Sequence, residues 1–254
     1  MENSPLFTVH SSLFTLHSSL FTLHYMLIKV CGMRDAENIR AVSELDINLL
    51  GFIFWEKSPR YVHMVPTPTG TMPDRSHLDG DDHWQTVSGG NKMPKRVGVF
   101  VDDMPQNIIT RVYNYQLDYV QLHGNESAVM IDNLRRTLDP DIRQGVKFIK
   151  AISVASAADL DLCSKYEGCV DLFLFDTKTP LVGGSGEQFD WTVLDHYQGQ
   201  TPFLLSGGIG PDDAERILQF RHPHFVGIDL NSRFETAPAQ KDVERLRTFI
   251  QALR

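Results

Sequence analysis

The chain has 254 residues, 42% hydrophobic and 22% charged, with a net charge of -8. That composition is ordinary for a globular protein, and the length fits one large domain or two small ones. The acidic balance excludes a broad basic surface, and with it a nucleic-acid partner, while an anionic substrate would need a locally positive pocket.

The first 25 residues carry a short tandem repeat, in which Ser11-Ser12-Leu13-Phe14-Thr15-Leu16-His17 recurs unchanged from Ser18 to His24. The period is too short for a solenoid unit. The repeats are too few, and too rich in Ser, Thr and Phe, for a coiled coil. No Lys or Arg precedes Lys29, which argues against a signal peptide. Residues 1–25 are therefore expected to be a non-native or disordered extension, Met26 to be the natural start, and 26–254 to form the folded unit.

From Met26 onward, apolar runs alternate with helical periodicity. Strands are expected at 27–31, 49–54, 97–101, 119–122, 146–152, 170–175, 202–205 and 225–229. Helices are expected at 35–45, 105–115, 126–138, 155–166, 190–196, 211–220 and 241–253. Such alternation argues for a parallel sheet, and this strand count closes a (β/α)8 TIM barrel, whose functional groups gather at strand C-termini. An open doubly wound sheet is the alternative, but the Gly-rich dinucleotide turn after its first strand is missing. The second unit is irregular. Residues 64–95 are rich in Pro, Gly and polar side chains and read as a long loop, so the helix after strand two is expected to be short or missing. No apolar run reaches the length of about 18 residues needed to cross a membrane.

Several strand ends carry reactive side chains. Val170 to Phe175 ends in Asp176, ahead of Thr177-Lys178-Thr179-Pro180 and the loop Gly183-Gly184-Ser185-Gly186. A carboxylate there either caps a turn or does chemistry. Cys31 closes strand one and is either a small buried apolar group or a base. Lys29 shares its strand face, where an ammonium would favour the thiolate. Ser206-Gly207-Gly208-Ile209-Gly210-Pro211 leads from strand seven into a helix, and Asp229-Leu230-Asn231-Ser232 ends strand eight. Glycine N–H groups and a helix start suit a phosphate, and adjacent strand ends seven and eight are where such barrels hold one. Arg60 offers a fork for a carboxylate, and His123 is a polar pocket or turn residue. The three cysteines, Cys31, Cys163 and Cys169, show neither zinc-ligand spacing nor a disulfide framework, which points to a reducing cytoplasm.

Taken in order, these segments resemble the phosphoribosylanthranilate isomerase family of tryptophan biosynthesis. The matching stretches include Lys29-Val30-Cys31-Gly32-Met33, Ser58-Pro59-Arg60-Tyr61-Val62, Val120-Gln121-Leu122-His123-Gly124, Phe175-Asp176-Thr177-Lys178-Thr179-Pro180 and Leu205-Ser206-Gly207-Gly208. The resemblance implies an Amadori rearrangement without metal or redox cofactor, in a monomer or homodimer. It implies Cys31 as general base, with a lowered pKa, and Asp176 as general acid. It further implies Arg60 on the anthranilate carboxylate and the phosphate on N–H groups near Gly207, Gly208, Asn231 and Ser232. The turn Asn231-Ser232-Arg233-Phe234 departs from the family's small Gly-containing turn. Rival readings are a metal-using phosphosugar epimerase and a phosphate-binding barrel without catalysis.

Overall fold

The computed structural model describes residues 26–67, 70–73, 93–178 and 188–254. The extension expected over 1–25 and the Gly183–Gly186 loop lie outside the described residues.

Eight parallel strands close into a barrel: β1 (Leu27–Cys31), β2 (Leu49–Ile53), β5 (Lys95–Phe100), β6 (Tyr119–Leu122), β7 (Lys147–Val154), β8 (Leu172–Thr177), β9 (Phe203–Leu205) and β10 (Phe225–Leu230). The first and last barrel strands pair directly, with Lys29 beside Asp229. The strand period of two sorts the side chains into two cores. Leu49, Val97, Tyr119, Ile149, Leu172, Leu174 and Leu204 fill the barrel interior. Their sequence neighbours, among them Val30, Leu50, Val120, Phe148, Phe173 and Phe175, face outward. There they pack with helices α1 (Ala36–Ser43), α2 (Pro105–Tyr115), α3 (Ala128–Leu138), α4 (Ala214–Gln219) and α5 (Val243–Leu253). Lys29 and Cys31 have interior parity, as does Asp176, two residues beyond Leu174. The same pattern that builds the core therefore aims these three groups into the barrel.

The helices start where the sequence provides caps. Asp35, Ser127 and Asp242 accept hydrogen bonds from the N–H groups of Asn38, Met130 and Arg245. Two expected α-helices are instead 3-10 segments, Ala157–Lys165 and Trp191–His196. The first buries Leu160 and Cys163, the second Trp191 and Leu194. A spacing of three residues between the buried side chains matches the 3-10 turn.

The second unit corrects the loop reading. Residues β3 (Met64–Thr67) and β4 (Gly70–Pro73) form an antiparallel ribbon. Prolines are tolerated there because both strands are edges. Among the described residues no helix stands between β2 and β5.

Candidate active site at the C-terminal mouth

One cavity of about 530 Å³ opens at the C-terminal end of the barrel. Cys31, Arg60, His123 and Asp176 line it, together with Gly207, Gly208, Asn231 and Ser232. All the residues singled out from the sequence are thus brought together. Trp55, Lys57, Gln121 and Asp229 also line it.

Cys31 is 4% exposed. Its neighbour on β2 is Gly51, where a Cβ would lie only 2.7 Å from the Sγ, so glycine leaves room for the thiol. Lys29 Nζ donates to Asp229 Oδ1 at 2.9 Å, and both groups are buried. Burial opposes the Lys29 charge, but Asp229 and Cys31 outweigh it and hold the ammonium above the ordinary lysine value. The expected lowering of the Cys31 pKa is not found. Burial pushes the thiol up, and the attraction of Lys29 and Lys241 offsets only part of that rise.

Asp176 is 7% exposed. Its Oδ1 accepts from the Thr177 N–H at 3.0 Å, and its Oδ2 lies 3.4 Å from His123 Nε2. Gln121 Nε2 lies 3.3 Å from His123 Nδ1. With the amide donating to Nδ1, the ring proton sits on Nε2 and faces the carboxylate. His123 is therefore a partner of Asp176 as well as a wall of the cavity.

Across the mouth, Gly207 and Gly208 turn the chain with φ of +85° and +65°, a conformation that suits glycine. A Cβ on Gly207 would fall 2.7 Å from the Thr177 nitrogen and 2.9 Å from Asp176 Oδ1. Among the described residues, no acceptor is found for the N–H groups of Gly207, Gly208 or Ser232. Next to them runs a 3-10 turn, Ser232–Phe234, whose Phe234 is buried against Phe249 of α5 at 4.9 Å between ring centroids. The bulky residue of this unusual turn therefore points into the protein and leaves the mouth open.

The Arg60 fork is already engaged by a carboxylate of the protein itself. Its Nε and Nη2 donate to Glu235 Oε1 and Oε2 at 2.9 and 2.6 Å. Lys241, 2% exposed, donates to Glu235 Oε1 at 2.5 Å and to Asn231 Oδ1 at 2.9 Å. Glu235 lies on a small hairpin, β11 (Glu235–Ala237) and β12 (Gln240–Lys241). Burial disfavours its charge, yet Arg60 and Lys241 hold its carboxyl below the usual range. Neither Glu235 nor Lys241 stands out in the sequence, since each is one charged residue in a polar turn. Among the described residues no group of three His, Cys, Asp or Glu is placed to hold a metal ion.

The chain matches the family described as N-(5'phosphoribosyl)anthranilate (PRA) isomerase over residues 74–252. It is 46% identical to the N-(5'-phosphoribosyl)anthranilate isomerase of Parabacteroides distasonis, covering 90% of this chain and 93% of the relative. The chain belongs to this family. The family match takes in Asp176 and the turns that follow β9 and β10, while Cys31 and Arg60 precede it. Among solved structures, the phosphoribosyl anthranilate isomerase of Thermus thermophilus superposes with a TM-score of 0.69 at 25% identity, covering 90% of this chain and 98% of that one. A second such isomerase, solved with reduced 1-(o-carboxyphenylamino)-1-deoxyribulose 5-phosphate, gives a TM-score of 0.64 at 24% identity over 90% of this chain and 98% of that one.

Proposed function

We propose that this protein isomerises N-(5-phosphoribosyl)anthranilate to 1-(2-carboxyphenylamino)-1-deoxyribulose 5-phosphate in tryptophan biosynthesis, with Asp176 as general acid and Cys31 as general base. The observation that carries the assignment of residues is their convergence on one cavity, with a proton donor, a proton acceptor and, around its rim, a run of N–H groups that have no acceptor among the described residues.

The reaction needs two opposed proton transfers. Protonated Asp176 gives its proton to the furanose ring oxygen, and the C1–O bond breaks as the substrate's nitrogen lone pair forms an iminium. The Cys31 thiolate takes the proton from ribose C2, and the C–H electron pair returns to the nitrogen as an enolamine. Tautomerisation then gives the ketone. The substrate's own nitrogen is the electron sink, and each acid–base group contributes about 10²–10⁴-fold. Lys29 and Lys241 supply positive charge that favours the thiolate against the burial that opposes it. The N–H groups at Gly207, Gly208 and Ser232 suit the phosphate, and Arg60 suits the anthranilate carboxylate. Asn231 already gives its Oδ1 to Lys241, so its part is to hold that turn.

The test is direct. Purified protein is added to N-(5-phosphoribosyl)anthranilate while the fluorescence of the anthranilate group is followed. Enzyme-dependent decay is expected, and none at any protein concentration would refute the activity. We further propose a cytoplasmic location and a monomer or homodimer, which sedimentation and cell fractionation would check. Three unbridged cysteines support the reducing compartment, and among the described residues no helix is long and apolar enough to cross a membrane.

A further inference from the structure

An arginine side chain has two edges that can each present a parallel pair of N–H groups: Nε with Nη2, and Nη1 with Nη2. In this protein Glu235 takes the first edge with both carboxylate oxygens. Among the described residues, nothing accepts from Nη1. Glu235 is itself anchored, because its Oε1 also accepts from Lys241 Nζ at 2.5 Å and from the Ala239 N–H at 3.3 Å. The arginine stem is walled in as well, since a Cβ on Gly32 would lie 2.5 Å from Arg60 Cδ and 2.8 Å from Asn231 Oδ1. Two cations and one carboxylate leave this cluster with a net positive charge, facing the cavity through Arg60.

We propose that Glu235 is a positioning residue that fixes Arg60 so that only its Nη1/Nη2 edge meets the substrate's aromatic carboxylate. The pair thereby sets the preference for a carboxylated arylamine over a plain one. The inference rests on the isomerase reading given above. Glu235 touches no reacting atom. It acts by removing Arg60's rotamer freedom and by blocking the edge that would otherwise compete for the ligand.

Calorimetry with two ligands tests it. One is reduced 1-(o-carboxyphenylamino)-1-deoxyribulose 5-phosphate; the other is its phenylamino counterpart, which lacks the carboxylate. Wild-type protein is expected to prefer the first by about 10- to 100-fold. In Glu235→Gln that ratio should collapse toward one, while affinity for the phenylamino ligand stays within about twofold. Equal weakening of both ligands would mean a purely structural role and would overturn the proposal. If the wild-type protein bound neither ligand, the isomerase reading would fall first and the inference with it. Should Glu235→Gln not fold, the Arg60 Nε–H resonance of the wild-type protein decides. It should be unmoved by the carboxylated ligand; a large shift with that ligand alone would show that the substrate displaces Glu235, and would overturn the proposal.

Discussion

Buried lysines on the outer side of the barrel and at its mouth differ in what they leave unused. On the outer side of β7, Lys150 Nζ donates to the carbonyls of Leu122 and Gly124 at 3.3 and 2.6 Å and to Glu126 Oε2 at 3.2 Å. Glu126 in turn accepts from the N–H groups of Asp102 and Gly124. That cluster consumes all three ammonium donors and both carboxylate oxygens, and it fixes the β6 turn. At the mouth, the Lys29 and Lys241 clusters stop short of closure. Positive charge acts on a buried thiol, and among the described residues one edge of Arg60 has no partner. The same residue types thus serve as a rivet where every valence is met, and as a site where some are held in reserve.

Catalysis should respond most to changes at the mouth. Cys31→Ala and Asp176→Asn should each cut turnover by about 10²–10⁴-fold while circular dichroism and the thermal midpoint hold; near wild-type rates in either would remove the assigned roles. The rivet should show the reverse. Lys150→Met strands the buried Glu126 carboxylate, so urea unfolding should report a loss of about 3–5 kcal/mol, with kcat nearly unchanged below the melting range. Gly207→Ala meets both a left-handed backbone and a collision with Thr177 and Asp176. We expect kcat/KM to fall about 10- to 100-fold, mainly through KM, because the phosphate turn shifts. The smallest effect concerns pH. A raised pKa keeps Cys31 protonated at neutral pH in the ligand-free protein, so its alkylation should be slow there. The rate should keep climbing past about pH 8.5, the midpoint of an ordinary thiol, as read by site-resolved mass spectrometry. A midpoint below that value would restore the lowered pKa that the sequence suggests.

The barrel was largely legible in the sequence because its strands are unbroken apolar runs that end abruptly in polar residues. Cys31, Asp176 and Gly207 each sit at such a junction, so strand order alone delivers them to one rim. The ribbon at 64–73 was not legible, since Pro and Gly mark turns and edge strands alike. The 3-10 segment Ala157–Lys165 carries helix-forming residues, and only the absence of a second buried turn distinguishes it. The Arg60–Glu235 pair spans 175 positions, and no local pattern announces a contact made only when the barrel closes. The thiol's pKa was misjudged for a related reason. Lys29 is visible two residues away, but the desolvation that outweighs it exists only in the packed interior.

The pairing of β1 with β10 joins the strand that carries the thiol to one that follows it in sequence by some 200 positions, Lys29 meeting Asp229. A nascent chain that has not yet emerged past Leu230 possesses Cys31 and Lys29 but no Asp229 to neutralise the ammonium, and no Glu235 to hold Arg60. The cluster at the mouth is therefore incomplete until both strands have been made. It comes into being in the same step that seals the cylinder.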